Sequence, residues 1–239
     1  MNPNLVKVPR PEDRSSLATL QVDMIADLVC PWCYLGKRRL DDALLAVHGP
    51  TAVSWFPFRV NPQTPDGGID FEQYLASRSG SSGRRGRGLD ELAAAGRAEG
   101  IEFRFDRITR MPNTLDAHRV VKLAETEDVA VGRVAESLFR GFFEEGRDLA
   151  DRDSLIELGE RGGLPAVAIA RTLDDAQSRQ AVLSQEAQIR KSGVTGVPDF
   201  LVNRRLFVMG AQDTDALVNV FDRVMFGDES DRPVSPVLH

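Results

Sequence analysis

Residues 20–47 read LQVDMIADLV-CPWC-YLGKRRLDDALLAV, and the organisation of the whole chain follows from them. The apolar run up to Val29 predicts a strand. The apolar spacing from Tyr34 to Val47 predicts a helix. Cys30-Pro31-Trp32-Cys33 therefore lies at the first turn of a helix that leaves a sheet. Because unpaired backbone N–H groups and the helix dipole favour a thiolate there, this context predicts a redox-active dithiol.

Three other interpretations of the two cysteines remain open from the motif alone. A structural disulfide is disfavoured because closing so short a loop restrains little of the unfolded chain. A structural zinc site needs four ligands, and beyond the two cysteines the chain has only His48, His118 and His239 as nitrogen donors, so no metal site is predicted. The third interpretation is a pair of incidental buried cysteines. The strand, motif and helix in this order favour the redox interpretation over all three.

Size and charge limit the classes of protein to which the chain can belong. A chain of 239 residues with 42% hydrophobic and 28% charged residues is typical of a globular protein with a substantial core. Its net charge of −6 argues against nucleic acid as a partner. No apolar stretch approaches the ~20 residues that cross a membrane. The polar segment from Met1 to Ser16 lacks the apolar core of a signal peptide, so we expect a cytoplasmic location.

The rest of the chain divides into a helical block between two regions that contain strands. Val53 to Phe58 predicts a second strand, which with the first strand and helix forms a β–α–β unit with parallel strands. Residues 70–192 are dominated by helical patterns, among them Val131 to Glu145, whose apolar side chains we assign to the core. The runs 199–203 and 205–209 predict a hairpin with a tight turn at Asn203 and Arg204. A last helix extends to about Phe226.

The helical block contains two pieces that we predict to be irregular. Residues 78–88 are rich in arginine and glycine. Because they have no interleaved aromatic residues and belong to an acidic chain, a solvated loop is favoured over an anion or RNA site. Phe103-Arg104-Phe105 is predicted as a brief extended segment.

The order β–α–β, helical block, β–β–α is the thioredoxin arrangement with a helical insertion. The predicted fold class is accordingly α/β. A thioredoxin-like domain covers residues 17–69 and 193–227, an inserted helical domain covers 70–192, and flexible tails cover 1–16 and 228–239. In the thioredoxin fold a proline packs beside the cysteine pair from the loop that precedes the third strand. Pro198, in Gly193-Val194-Thr195-Gly196-Val197-Pro198-Asp199-Phe200, occupies that place.

The sequence resembles the DsbA superfamily and, within it, the FrnE-like branch of cytoplasmic dithiol–disulfide oxidoreductases. Four segments carry the likeness and span the chain from about residue 20 to 225: Asp27 to Lys37, Pro112 to Arg119, Phe139 to Asp148 and Gly193 to Phe200. The arginine- and glycine-rich stretch departs from the helical character expected of the family at that point. This departure concerns the local surface and the partner rather than the chemistry.

The resemblance implies roles for individual residues. Cys30 would be the exposed attacking cysteine and Cys33 the buried resolving one, with Pro31 and Trp32 tuning the reduction potential or contacting the substrate. Val197 and Pro198 would lie against the disulfide with a cis peptide bond between them, and the backbone of Val197 would pair with an extended peptide or with glutathione.

Weaker candidates lie outside the cysteine motif and the proline loop. Asn113 and Thr114 either contact the substrate or cap a helix. His118 is favoured as a packed or hydrogen-bonded residue over a proton shuttle. Lys37 and Arg38 are predicted to be solvated.

The leading functional hypothesis is a thiol–disulfide oxidoreductase that works through a mixed disulfide with protein or small-molecule partners. It would bind no cofactor, and glutathione is a candidate co-substrate. A glutathione-dependent isomerase or transferase is the alternative, because hydroxychromene-carboxylate isomerases and kappa-class glutathione transferases share the architecture. Those relatives generally carry serine at the position of Cys30. A non-catalytic binding module is the third hypothesis, and a homodimer is a candidate assembly.

Overall fold

The structure is a computed structural model that describes residues 19–78 and 84–227. The predicted tails at 1–16 and 228–239 lie outside the described residues. So do residues 79–83, in the middle of the arginine- and glycine-rich stretch.

The central sheet has the strand order β2-β1-β5-β6. Its strands are β1 (Leu20–Ala26), β2 (Thr51–Pro57), β5 (Asp199–Val202) and β6 (Leu206–Met209). β1 runs parallel to β2 and antiparallel to β5, and β6 completes the predicted hairpin. Asn203 and Arg204 take positive φ values of 48° and 53° in the turn, as a tight hairpin turn requires. The α/β thioredoxin fold is therefore confirmed.

Helices surround the sheet, and α1 (Pro31–Leu45) begins directly after the first cysteine. Between β2 and β5 the chain forms α2 (Phe71–Arg78), α3 (Arg84–Ala98), α4 (Leu115–Thr126), α5 (Val131–Phe143), α6 (Arg152–Arg161), α7 (Ala166–Asp174) and α8 (Ala176–Lys191). α9 (Thr214–Phe226) follows the hairpin and packs against α1. In the described residues no helix is long and apolar enough to cross a membrane.

Three details of the helical block differ from the sequence prediction. α3 begins at Arg84, so the predicted loop 78–88 is wrong for its last residues, where arginines of good helix propensity offset the two glycines. The predicted extended piece ends instead in a 3-10 turn from Phe105 to Arg107. A small antiparallel sheet of β3 (Ile69–Asp70) and β4 (Arg110–Met111) was not predicted, because two-residue strands show no periodicity.

The aromatic face of α5 fills the core between the helices and the sheet, as its apolar spacing predicts. Phe139 and Phe143 are almost fully buried, and Phe139 stacks on Tyr34 of α1 with ring centroids 5.0 Å apart. Such an aromatic contact contributes about 0.5–1.5 kcal/mol beyond the area it buries. Tyr34 follows Cys33 directly, so this packing fixes the helix that carries the cysteine pair.

Candidate active site around Cys30 and Cys33

Cys30 is the N-cap residue of α1, with extended backbone angles, and Pro31 occupies the first turn, where its missing N–H costs nothing. The backbone N–H groups of Cys33 and Tyr34 both donate to the Cys30 carbonyl, at 2.9 and 3.2 Å. The two cysteines thus lie one helical turn apart on the same helix. Both are free thiols.

The two cysteines differ in their access to solvent. Cys30 is 8% exposed and Cys33 is 0% exposed, so the predicted order is right but the prediction of an exposed Cys30 is wrong in degree. The reason is the loop before β5, since the Cys30 thiol donates to the Val197 carbonyl at 3.7 Å. Trp32, between the cysteines, is 47% exposed and presents a large apolar surface beside them.

Pro198 lies against the start of α1, and its peptide bond with Val197 is cis. A Cβ added at Gly36 would stand only 3.0 Å from the Pro198 ring and 3.3 Å from Phe200, so the glycine in α1 permits this close approach. The Val197 carbonyl thus meets Cys30, and the Pro198 ring lies against Gly36, three residues after Cys33.

Burial raises the pKa of the Cys33 thiol well above its ordinary value. The neighbouring Cys30 acts in the same direction, and a hydrogen bond from the Asp27 backbone lowers the pKa in part. Cys33 is therefore held as a neutral thiol in the reduced protein, and it must lose its proton before it can attack a disulfide.

A buried polar chain lies behind the cysteines. The Trp55 indole N–H donates to His118 Nδ1 at 2.9 Å, and His118 Nε2 stands 3.3 Å from Asp27 Oδ1 without the alignment of a hydrogen bond. Asp27 Oδ2 accepts the Val60 N–H at 2.7 Å, and the Asp27 carbonyl accepts the Cys30 N–H at 3.1 Å. His118 is thus a buried, hydrogen-bonded residue, as predicted. Asp27 links the Cys30 backbone to the loop after β2, and His118 links β2 to α4.

Asn113 supports the loop after β2, and Thr114 stands beside it at the start of α4. The Asn113 amide donates to the Thr64 carbonyl at 2.7 Å, and its oxygen accepts the Leu115 N–H at 3.1 Å. Thr114 is the N-cap residue of α4 but makes no side-chain capping bond. Within the described part of the chain, the hydrogen bonds of Asn113 go to this loop and to α4 and not to the cysteine pair.

The prediction that Lys37 and Arg38 are solvated is wrong for Lys37. Lys37 is 5% exposed, and its ammonium lies 2.6 Å from Asp41 and 2.7 Å from Glu136. Its burial follows from the packing of α1 against α5, which brings Glu136 within reach.

Residues 21–222 match the family of DSBA-like thioredoxin domains, which is most of the chain. The chain belongs to this family. Membership of this family agrees with the geometry of the site. An N-cap cysteine, a buried cysteine and the loop that contains Pro198 lie together there.

Individual proteins are similar to this chain over most of its length. It is 28% identical to a structure from Streptomyces coelicolor described as a "probable DsbA oxidoreductase", with a TM-score of 0.77 over 90% of this chain and 93% of that one. It is also 24% identical to the uncharacterised protein YwbO of Bacillus subtilis, over 88% of this chain and 98% of that protein.

Two more distant structures share the fold. The cytosolic disulfide reductase DsbM of Pseudomonas aeruginosa, solved with glutathione, is 23% identical with a TM-score of 0.56, over 86% of this chain and 95% of that one. A 2-hydroxychromene-2-carboxylate isomerase is 16% identical with a TM-score of 0.64, over 85% and 95% of the two chains. At these identities the likeness is one of fold alone.

Three residues in or beside the site, Asp27, Trp55 and Asp199, were not predicted from the sequence. Asp27 lies inside the apolar run before Cys30, and this position could have indicated a buried carboxyl. Asp199 directly follows Pro198 in the apolar run VPDFLV, which is the corresponding signal for a buried carboxyl. The partner of Trp55 comes from α4, 63 residues away, and no local pattern indicates it.

Proposed function

We propose that this chain is a thiol–disulfide oxidoreductase in which Cys30 attacks and Cys33 resolves. The observation that carries the proposal is the asymmetry of the pair. Cys30 is the N-cap residue of α1, keeps 8% of its surface exposed and donates to the Val197 carbonyl, whereas Cys33, one turn later, is 0% exposed. An exposed substrate can reach only the first sulfur.

The proposed reaction has two displacements. The Cys30 thiolate attacks one sulfur of a substrate disulfide, the S–S bond breaks, and the other substrate sulfur leaves as a thiolate. Cys33 then loses its proton and attacks Cys30 Sγ, which forms the Cys30–Cys33 disulfide and releases the second substrate thiolate. The substrate gains two electrons and the cysteine pair loses two. Run in reverse, the same steps oxidise a dithiol.

The surrounding residues would hold the substrate. An extended peptide or glutathione can pair its backbone with Val197, in the manner of an added strand, while Pro198, Pro31 and Trp32 form the apolar wall around the sulfurs. Asn113 acts in this proposal by fixing the loop after β2, and direct substrate contact is the alternative role of Asn113 and Thr114. No bound cofactor is required, and glutathione is the proposed small-molecule co-substrate.

The likeness of the four sequence segments supports a place in the FrnE-like branch. A cytoplasmic location and thioredoxin-like units at residues 17–69 and 193–227, with an inserted unit at 70–192, are part of the same proposal. A homodimer stays a prediction.

A turnover assay tests the proposal. Reduction of a peptide disulfide would be coupled to glutathione and glutathione reductase, and followed for the wild type, Cys30→Ser and Cys33→Ser. We expect Cys30→Ser to abolish turnover, and Cys33→Ser to abolish or strongly slow it. Full turnover by Cys30→Ser would overturn the proposal.

The fold shared with the hydroxychromene-carboxylate isomerase supports one alternative, a glutathione-dependent isomerase. Such an isomerase needs no second thiol, because glutathione itself adds to the substrate and leaves again. Activity on an isomerisable substrate that Cys33→Ser retains in full, together with no peptide-disulfide turnover by the wild type, would favour that alternative.

A further inference from the structure

A cavity adjoins the cysteine site at the Val197–Pro198 loop. Its volume is about 350 Å³, within the range of small-ligand and side-chain pockets. It is enclosed by the loop after α8, the start of β5 and the end of β6. Its lining includes Thr195, Val197, Pro198, Asp199, Phe207 and Met209. Because Val197 and Pro198 belong to both sites, a substrate bound at Cys30 would lie next to this cavity.

Asp199 is the ionisable residue of this lining. It is 6% exposed, and its Oδ1 accepts the Gly210 N–H at 3.2 Å. Oδ2 has no hydrogen-bond partner among the described residues, and the carboxyl takes part in none of their ion pairs. Burial raises the pKa of Asp199 to about 6, since the one hydrogen bond offsets the lost hydration only in part.

Among the described residues, no charged group shifts the pKa of the Asp199 carboxyl. Ile25 stands opposite it on β1 and Met209 opposite it on β6. The loop contributes hydroxyl, apolar and glycine residues to the cavity. Arg190, near the end of α8, is held by Glu186 and lies over the Phe58 ring. Burial of a carboxylate without a nearby cation costs free energy. The cavity is the space beside Asp199 in which a cation could lie.

The course of a substrate connects the two sites. A strand that pairs with the backbone of Val197 sends alternate side chains to opposite sides. If the substrate sulfur points towards Cys30, a neighbouring group of the substrate points away from it, past the loop and towards Asp199.

We propose that this cavity binds a cationic group, an ammonium or a guanidinium, that the substrate carries beside its disulfide, with Asp199 as its counter-ion. Asp199 is thus a specificity residue that does not touch the reacting sulfurs. The statement about substrates rests on the proposed oxidoreductase function. The statement about cation binding at Asp199 does not.

Matched substrates test the specificity. We would compare disulfide-linked dimers of one short peptide that carry Lys, Gln or Glu on both sides of the cysteine. For the wild type at pH 7.5 we expect kcat/KM for the Lys dimer to exceed that for the Gln dimer about tenfold, the scale of one charge-assisted hydrogen bond. The preference should fall towards unity at pH 5, where the Asp199 carboxyl is protonated. Asp199→Asn, which retains a side-chain oxygen for the Gly210 N–H, should remove this preference at both pH values.

A second pair of substrates identifies the source of the cation. If it is the amino group of glutathione, N-acetylation of glutathione disulfide lowers the wild-type rate and leaves that of Asp199→Asn unchanged. Asp222→Asn, an exposed change on α9 with the same net charge, should behave as the wild type. Equal use of all charged and neutral substrates by the wild type, or the same preference in Asp199→Asn, would overturn the inference and leave the exchange reaction standing.

A binding measurement keeps the inference testable if no exchange occurs. The double variant Cys30→Ser with Cys33→Ser would be titrated calorimetrically with the three peptide dimers, with and without Asp199→Asn. Tighter binding of the Lys dimer that needs Asp199 supports the cation site even if turnover is absent. Indifference to the peptide charge refutes it. The wild-type comparison between pH 7.5 and pH 5 decides the case if Asp199→Asn does not fold.

Discussion

Replacing Asp199 with Asn should stabilise the protein at neutral pH. Burial raises the pKa of this carboxyl from an ordinary value of 3.8 to about 6. The folded protein therefore binds the proton more tightly than the unfolded chain, and its stability is greatest below the unfolded pKa. Stability is then lost as the pH rises from about 4 to about 6. A difference of about two pKa units corresponds to about 3 kcal/mol.

Asn cannot ionise, so it escapes this penalty. We expect the free energy of unfolding of Asp199→Asn to differ little from that of the wild type near pH 4 and to exceed it by about 3 kcal/mol at pH 7.5. Urea unfolding of both proteins at pH 4, 5, 6 and 7.5 measures the difference. Asp222→Asn is the control, because its exposed side chain should give a small difference at every pH.

A difference between Asp199→Asn and the wild type that does not change with pH would refute the argument, and so would a variant less stable at pH 7.5. The expected result would mean that the chain keeps a destabilising carboxyl beside its reactive thiol. Such a cost is typical of residues retained for function rather than for stability.

Three further predictions concern the cysteines and the core. Iodoacetamide should label Cys30 before Cys33, because burial raises the pKa of Cys33 and removes it from solvent; peptide mapping by mass spectrometry would measure the order, and faster labelling of Cys33 would reverse the assigned roles. Trp55→Phe should cost about 1–3 kcal/mol of stability, since His118 Nδ1 loses its buried donor. Trp32→Phe on the surface should cost less than about 0.5 kcal/mol by the same urea titration. Equal losses would count against the buried hydrogen bond between Trp55 and His118. Gly141→Ala should destabilise the protein by about 1–3 kcal/mol because its Cβ would stand 2.5 Å from Leu158, while Gly88→Ala, with nothing within 4 Å in helix α3, should stabilise it by up to about 1 kcal/mol; a neutral Gly141→Ala would contradict the close contact between α5 and α6.

Local patterns were sufficient for the main elements of the fold. A few neighbouring residues determine the apolar strand before Cys30, and the same holds for the turn at Asn203 and Arg204. The parallel pair β1–β2 and the hairpin β5–β6 could therefore be predicted. The start of α3 could not, because its arginines and glycines give opposing local signals.

The cysteine pair and the proline loop could likewise be predicted, whereas the polar residues around them could not. Lys37 is buried because α5 brings Glu136 to it, and Trp55 finds its partner on α4. Asp199 is buried by β6 and by the loop after α8. In each case the partner is distant in sequence, so burial and charge pairing become visible only in three dimensions.

Trapping of the mixed disulfide tests the central claim, the division of labour between Cys30 and Cys33, most directly. Reduced wild type, Cys30→Ser and Cys33→Ser would each be mixed with stoichiometric glutathione disulfide, quenched with acid and analysed by intact mass. We predict that the wild type ends as the internal disulfide without an adduct, that Cys33→Ser stops as a stable glutathione adduct on Cys30, and that Cys30→Ser stays unmodified. An adduct that forms equally on Cys30→Ser, or a wild type that keeps its adduct, would contradict the account.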